Sequence, residues 1–238
     1  MNSSILEVLA GSLYPPRCAL CRRETHRVRS PGPCRGCRSR LAPLPAGCRR
    51  CAEPGDADPC DRCEWSPPGP DRIRACLPYG KDGPKGLLRD AIHAWKYRLD
   101  LDAGACLADL FADRSAGFLL TADVVVPVPT RRSRLVRRGF DQAAELARAI
   151  ANQRGLPVLR ALHRVDAAGS QTVLGRVERA TNVRGAFRVV RRDAVAGRTV
   201  LLVDDVLTSG ATLGECTHAL RRAGVIHVEA WTLGRSLR

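Results

Sequence analysis

Lysine is nearly missing from this chain. Of its 39 basic residues only Lys81, Lys85 and Lys96 are lysines, so arginine carries the formal net charge of +15. Aromatic residues make up 4% of the sequence, which excludes an aromatic-rich core and calls for one of Val, Leu, Ile and Ala. No basic tract is interleaved with aromatics, as a stacking platform for single strands would need. No apolar run is long enough to cross a membrane; "ADVVVPVP" and "TVLLVDD" are short and interrupted. The start "MNSSILEVLAGSLYPPRC" has neither a basic leader nor a long apolar region, so a cytoplasmic protein without a secretory signal is expected. Neither a Walker loop nor G-x-G-x-x-G is present.

Cysteine, by contrast, is abundant. Eight of the eleven cysteines form four C-x-x-C pairs: Cys18/Cys21, Cys34/Cys37, Cys48/Cys51 and Cys60/Cys63. A C-x-x-C turn points two thiolates at one metal, and two turns complete a tetrahedral site. The surrounding residues are rich in Pro, Gly and Arg and lack apolar periodicity, so metal binding has to supply their folding energy. A zinc module over residues 1–70, with one or two ions, is therefore expected. Sequential pairing closes the shorter loops and is favoured over interleaved pairing or a single filled set. His26 reads as a surface histidine. Cys76, Cys106 and Cys216 stand alone in apolar surroundings and read as buried small hydrophobes.

From residue 71 onward the texture changes. "RIRACLPYG", "ADVVVPVP", "LPVLRALHRV", "AFRVV", "RTVLLVDD" and "VIHVEAWTLG" read as strands. "GLLRDAIHAWKYR", "AGACLADLFADR", "GFDQAAELARAIANQRG" and "ATLGECTHALRRAG" read as helices. Strands alternate with helices, and two strands are apolar throughout. That pattern predicts an α/β domain, residues 71–238, with a mainly parallel sheet covered by helices on both faces. Ligands of such sheets bind at the C-terminal ends of strands. "VVPVPTRRSR" and "VLLVDDVLTSG" are two such ends, expected side by side.

In "DDVLTSGATL" the strand is expected to stop at Asp204-Asp205 and the helix to start near Ala211. Thr208, Ser209 and Gly210 between them are small, so backbone amides at a helix start can approach an anion. The hydroxyls of Thr208, Ser209 and Thr212 add donors. Arg131, Arg132 and Arg134 place planar, permanent cations at the neighbouring strand end. Their plainer alternative is a solvated loop.

"VLLVDDVLTSGATL" resembles the signature of type I phosphoribosyltransferases, which bind 5-phosphoribosyl-1-pyrophosphate. The resemblance implies that Asp204 and Asp205 hold the ribose hydroxyls and act as the catalytic pair. It implies that Thr208, Ser209, Gly210, Ala211 and Thr212 cradle the 5-phosphate. "DVVVPVPTRRSR" resembles the pyrophosphate loop of the same superfamily, which assigns Arg131, Arg132 and Arg134 to pyrophosphate. Magnesium would arrive with the ligand, held mainly by its oxygens. The whole chain resembles the ComF family (competence protein F, ComFC/GntX-like), in the order "PPRCALC", "IHAWKYR", "VVPVPTRRSRLVRRGFDQA", "SQTVLGRVERATNVRGAF" and "VLLVDDVLTSGATL". That family usually reads R-G-F-N-Q where this chain has "RRGFDQ", so Asp141 replaces an amide by a carboxylate. The segment 169–182 is a candidate cover for the site, with Gln171, Arg176, Arg179 and Asn182 as weaker contacts. Lys96 is a weaker candidate still; at a helix end, it reads more readily as a solvated charge.

Two function classes remain open on the sequence. One is a phosphoribosyltransferase of unknown acceptor. The other is a non-catalytic protein that binds phosphoribosyl pyrophosphate or a related nucleotide and serves DNA uptake. The family resemblance implies single-stranded DNA, a DNA helicase and a membrane channel as partners in competent bacteria.

Overall fold

A computed structural model describes residues 17–24, 32–64, 69–81, 83–118, 121–165 and 184–237. The cysteine-rich part contributes two short helices, α1 (Arg35–Arg40) and α2 (Asp61–Glu64). Then follow β1 (Arg72–Tyr79), α3 (Gly83–Arg98), α4 (Leu101–Ser115), β2 (Val124–Pro127), α5 (Arg132–Arg138) and α6 (Gln142–Arg154). The chain ends with β3 (Leu162–Arg164), β4 (Phe187–Val189), β5 (Thr199–Leu207), α7 (Ala211–Arg222) and β6 (His227–Ser236).

Four strands form one parallel sheet in the order β1-β6-β5-β2. A single parallel bridge, Val125 to Val158, extends it beyond β2. Strand β5 lies between β2 and β6 and is buried from Val200 to Val203. Its alternating side chains explain why it reads apolar throughout. Leu201 and Val203 point into a core shared with α3, α4 and α6, while Val200 and Leu202 pack with Leu213, Cys216 and Leu220 of α7. Each face therefore carries its own helix layer, as parallel sheets require. Cys76, Cys106 and Cys216 are buried, as small hydrophobes would be.

Two sequence expectations shift. "LPVLRALHRV" is a strand only over Leu162–Arg164, where it pairs antiparallel with β4 in a separate two-stranded sheet. The strand β5 also runs past the acidic pair to Leu207, because Val206 and Leu207 keep their β6 partners Gly234 and Arg235.

The cysteine-rich part is tied to the sheet by backbone. Ile73 N donates to Arg49 O at 2.6 Å, and Leu44 N donates to Cys76 O at 2.9 Å. Cys18, Cys37 and Leu41 share the core of Leu88, Ile92, Leu107 and Phe111. Close approach governs one glycine in that core: a Cβ on Gly104 would sit 2.3 Å from Nε1 of Trp95. Helices α3 and α4 can pack around the indole only because α4 lacks a side chain there.

Candidate ligand site and metal centres

The cysteines assemble in sequence order. Cys18, Cys21, Cys34 and Cys37 form one group, and Cys48, Cys51, Cys60 and Cys63 a second, with all sulfurs of a group within 4.8 Å of one another. Cys18 and Cys37 sulfurs lie 3.7 Å apart; the Cys21–Cys34 and Cys51–Cys60 pairs lie 3.8 Å apart. Four thiolates at ~2.3 Å from a tetrahedral zinc would be ~3.8 Å from each other, so both groups fit that ion. None of these cysteines is in a disulfide. Amides of Cys21 and Cys34 donate to Cys18 Sγ at 3.5 and 3.2 Å, and that of Cys60 to Cys48 Sγ at 3.4 Å, which stabilises thiolate charge. His26 lies outside the described residues.

The sheet brings the two expected strand ends together. Strand β2 pairs with β5 from Val124–Val200 to Pro127–Val203, and Val128 N continues the ladder to Val203 O at 2.9 Å. The chain after β2 therefore leaves the sheet beside Asp204. Arg131 precedes α5, and Arg132 and Arg134 lie on it, so two of the three arginines sit on a two-turn helix and not in a loop. All three are exposed. After β5, Thr208 and Ser209 are exposed, Gly210 adopts a left-handed φ of +81°, and α7 begins at Ala211. The positive φ turns the chain sharply into the helix at no Cβ cost, and the first α7 amides have no carbonyl partner within the helix. Ser209 Oγ accepts from Ala211 N at 3.4 Å.

The acidic pair is electrically unequal. Asp204 accepts from the Asp205 amide at 2.8 Å. Burial first, and the charge of Asp205 second, push its carboxyl up to about 8, which favours its protonated form near neutral pH. Asp205 is ion-paired with Lys96 Nζ from the end of α3. Lys96 is thus not the solvated helix-end charge expected from sequence: only 19% of its side chain is exposed. Burial works against its charge, but Asp205, by charge and hydrogen bond, holds it above the usual lysine value. Loss of the ammonium in Lys96→Met should leave Asp205 unpaired beside a second carboxyl and cost about 3 kcal/mol in chemical denaturation.

The raised Asp204 carboxyl also makes stability pH-dependent. Its folded value exceeds the 3.8 of an ordinary aspartate, so the folded chain binds the extra proton between these limits. Its stabilising contribution is complete below about pH 4 and is lost as pH rises toward about 8. Denaturant melts from pH 5 to pH 8 should show wild type losing stability relative to Asp204→Asn across that window.

"RRGFDQ" faces inward. Arg138 is buried, donates from Nη1 to Gln142 Oε1 at 3.2 Å, and stacks its guanidinium 5.0 Å from the Tyr97 ring. Asp141 is 8% exposed and accepts from Thr130 N at 3.5 Å, bracing the turn after β2; burial raises its carboxyl. Neither Arg138 nor Lys96 stood out in the sequence as a site group. Gln171, Arg176, Arg179 and Asn182 lie outside the described residues. Two surface clefts among the described residues, of about 650 and 330 Å³, are not lined by the acidic pair; the larger lies between Arg22 and the α3–α4 junction.

A parallel sheet with an acidic pair and a small-residue turn at one strand end, and arginines at the next, defines the class. Residues 105–235 match the family model described as "Phosphoribosyl transferase domain". "DNA utilization protein YhgH" of Salmonella typhimurium is 32% identical over 232 residues, covering 94% of this chain and 98% of that relative. "Competence protein F" of Haemophilus influenzae is 30% identical, covering 92% and 97%, and "Competence protein ComFC" of Bacillus subtilis is 26% identical, covering 85% and 84%. The chain belongs to the ComF/YhgH family and carries a phosphoribosyltransferase domain. Among solved structures, "the allosteric regulatory enzyme of purine biosynthesis" overlays at a TM-score of 0.41 and 24% identity over 55% of this chain; the shared part is 26% of that enzyme's length. No helix among the described residues is long and apolar enough to cross a membrane.

Proposed function

We propose that the chain binds 5-phosphoribosyl-1-pyrophosphate at the C-terminal ends of β2 and β5. The observation that carries this reading is the β2–β5 pairing, which sets the arginine-bearing strand end beside the one bearing the acidic pair. Asp204 and Asp205 take the ribose hydroxyls. The amides and hydroxyls from Thr208 to Thr212 take the 5-phosphate, in the manner of anion sites at helix starts. Arg131, Arg132 and Arg134 take the pyrophosphate. Magnesium, if it accompanies the ligand, is held mainly by ligand oxygens and offsets pyrophosphate charge. In a transfer reaction the bond from the ribose anomeric carbon to pyrophosphate breaks, pyrophosphate leaves with the electron pair, and an acceptor nitrogen bonds that carbon. The arginines stabilise charge growing on the leaving group. We assign residues 1–70 to a zinc module and 71–238 to the phosphoribosyltransferase-like domain.

The reaction is tested by a screen for pyrophosphate release with purine, pyrimidine and nicotinate-type acceptors. Release with one acceptor class, lost in Asp204→Asn/Asp205→Asn, supports transfer; no release with any acceptor, alongside intact ligand binding, leaves a binding protein. A second reading has its own support. Arg131, Arg132, Arg134 and Arg137 are all exposed on or beside α5, and relatives are named for competence and DNA utilization. Such a run suits a phosphate backbone. Single-stranded DNA binding that weakens steeply with salt, and weakens further when two of these arginines are replaced, would support it.

A further inference from the structure

A second set of polar contacts, centred on buried Arg235, joins the turn after β5 to the second cysteine group. The Cys48–Cys51 turn is closed by Ala52 N donating to Cys48 O at 2.7 Å and Cys48 N donating to Glu53 O at 3.0 Å. Gly47 packs against it so tightly that a Cβ there would lie 2.0 Å from Glu53 O. Glu53 is therefore fixed to the backbone that carries Cys48 and Cys51. Its Oε2 accepts from Arg235 Nη2 at 2.8 Å. Arg235, on β6, is 2% exposed. Its Nη1 donates to Thr208 O at 2.8 Å, to Ser236 O at 2.7 Å, and to Leu207 O at a longer 3.5 Å.

The peptide plane gives this contact a direction. In a trans peptide the C=O and the following N–H point opposite ways. Arg235 draws the Thr208 carbonyl inward, so the Ser209 amide is turned outward, toward the side where an anion would sit. A carbonyl flipped to that side would repel the anion. Buried Arg235 would itself lose its carboxylate partner without Glu53, a costly state that favours rearrangement. The first cysteine group has a different tie: Arg22, next to Cys21, is ion-paired with Asp100 at the start of α4.

We propose that Glu53 and Arg235 are positioning residues through which the second four-cysteine group holds the Thr208–Thr212 turn in its anion-binding shape. This rests on the reading of that turn as a phosphate site, and it makes ligand affinity depend on the integrity of the second group more than of the first.

The test uses the full zinc-loaded chain. Hydrogen exchange of the 208–213 amides is followed without ligand, and ribose 5-phosphate and inorganic pyrophosphate are titrated separately by calorimetry. Glu53→Ala should speed exchange in the turn and weaken ribose 5-phosphate binding, each by about tenfold, with pyrophosphate affinity and zinc content unchanged. Arg235→Lys cannot serve the carboxylate and the carbonyls together, and should show the same split; it decides the matter if Glu53→Ala loses zinc or fails to fold. Unchanged exchange in the turn of a zinc-replete variant overturns the proposal, as does an equal loss for both ligands. If wild type binds neither ligand, the phosphate reading fails, while the exchange arm still decides whether Glu53 and Arg235 brace the turn.

Discussion

Removing the zinc expected at the two four-cysteine groups should unfold more than the cysteine-rich part. Each four-cysteine group has the sulfur spacing of a tetrahedral zinc site, and the residues around it have little else to bury. Structural zinc contributes about 10–16 kcal/mol of apparent binding energy in small metal-folded modules. Here that energy also supports the α/β core, because Cys18, Cys37 and Leu41 pack among Leu88, Ile92, Leu107 and Phe111. Atomic spectroscopy should find two zinc ions per chain, and one in Cys48→Ser. A strong chelator should lower the melting temperature by about 10 °C or more, given about 2–4 °C per kcal/mol in chains of this size. A metal-free chain that melts as the loaded one does would contradict the metal reading.

The double substitution Asp204→Asn/Asp205→Asn should weaken phosphoribosyl pyrophosphate binding by more than about a hundredfold. Asp205 gives up a hydrogen bond to a charged group, about 1.5–3 kcal/mol, and Asp204 one to a largely protonated carboxyl, about 0.5–1.5 kcal/mol. The substitution keeps side-chain volume, and β5 is held on both sides by β2 and β6 near this point, so the fold should survive. The two positions should not be equivalent. Asp205→Asn also leaves Lys96 without its carboxylate. Asp204→Asn replaces a carboxyl whose protonated form burial already favours, so it should be the milder change. Singles that lose affinity equally would show that Lys96 plays no part at the site.

The sheet and its helices were legible because apolar residues recur with the right periods. The Val124–Val126 and Val200–Val203 runs are apolar because both faces are covered, and the α7 start follows from the small residues before Ala211. The helix Arg132–Arg138 was not legible: its seven residues include only Leu135 and Val136 as apolar side chains, and no side-chain cap marks its start. Lys96 was undervalued for a different reason. Its partner Asp205 is distant in sequence, and a lysine in a last helical turn normally faces water. Glu53 and Arg235, separated by 182 positions, carry no pattern at all until the fold sets the second cysteine group against β6. The turn proposed as an anion site was readable, while the charged pair that contacts it was tertiary.

The central claim is that the ends of β2 and β5 together hold one ligand through its ribose, its 5-phosphate and its pyrophosphate. Calorimetric titration of phosphoribosyl pyrophosphate with magnesium into the zinc-loaded protein tests it most directly. The predicted result is saturable one-to-one binding, lost in Asp204→Asn/Asp205→Asn and weakened when Arg131 and Arg134 are both replaced by alanine. No binding to wild type, or binding that both variants retain in full, would contradict it.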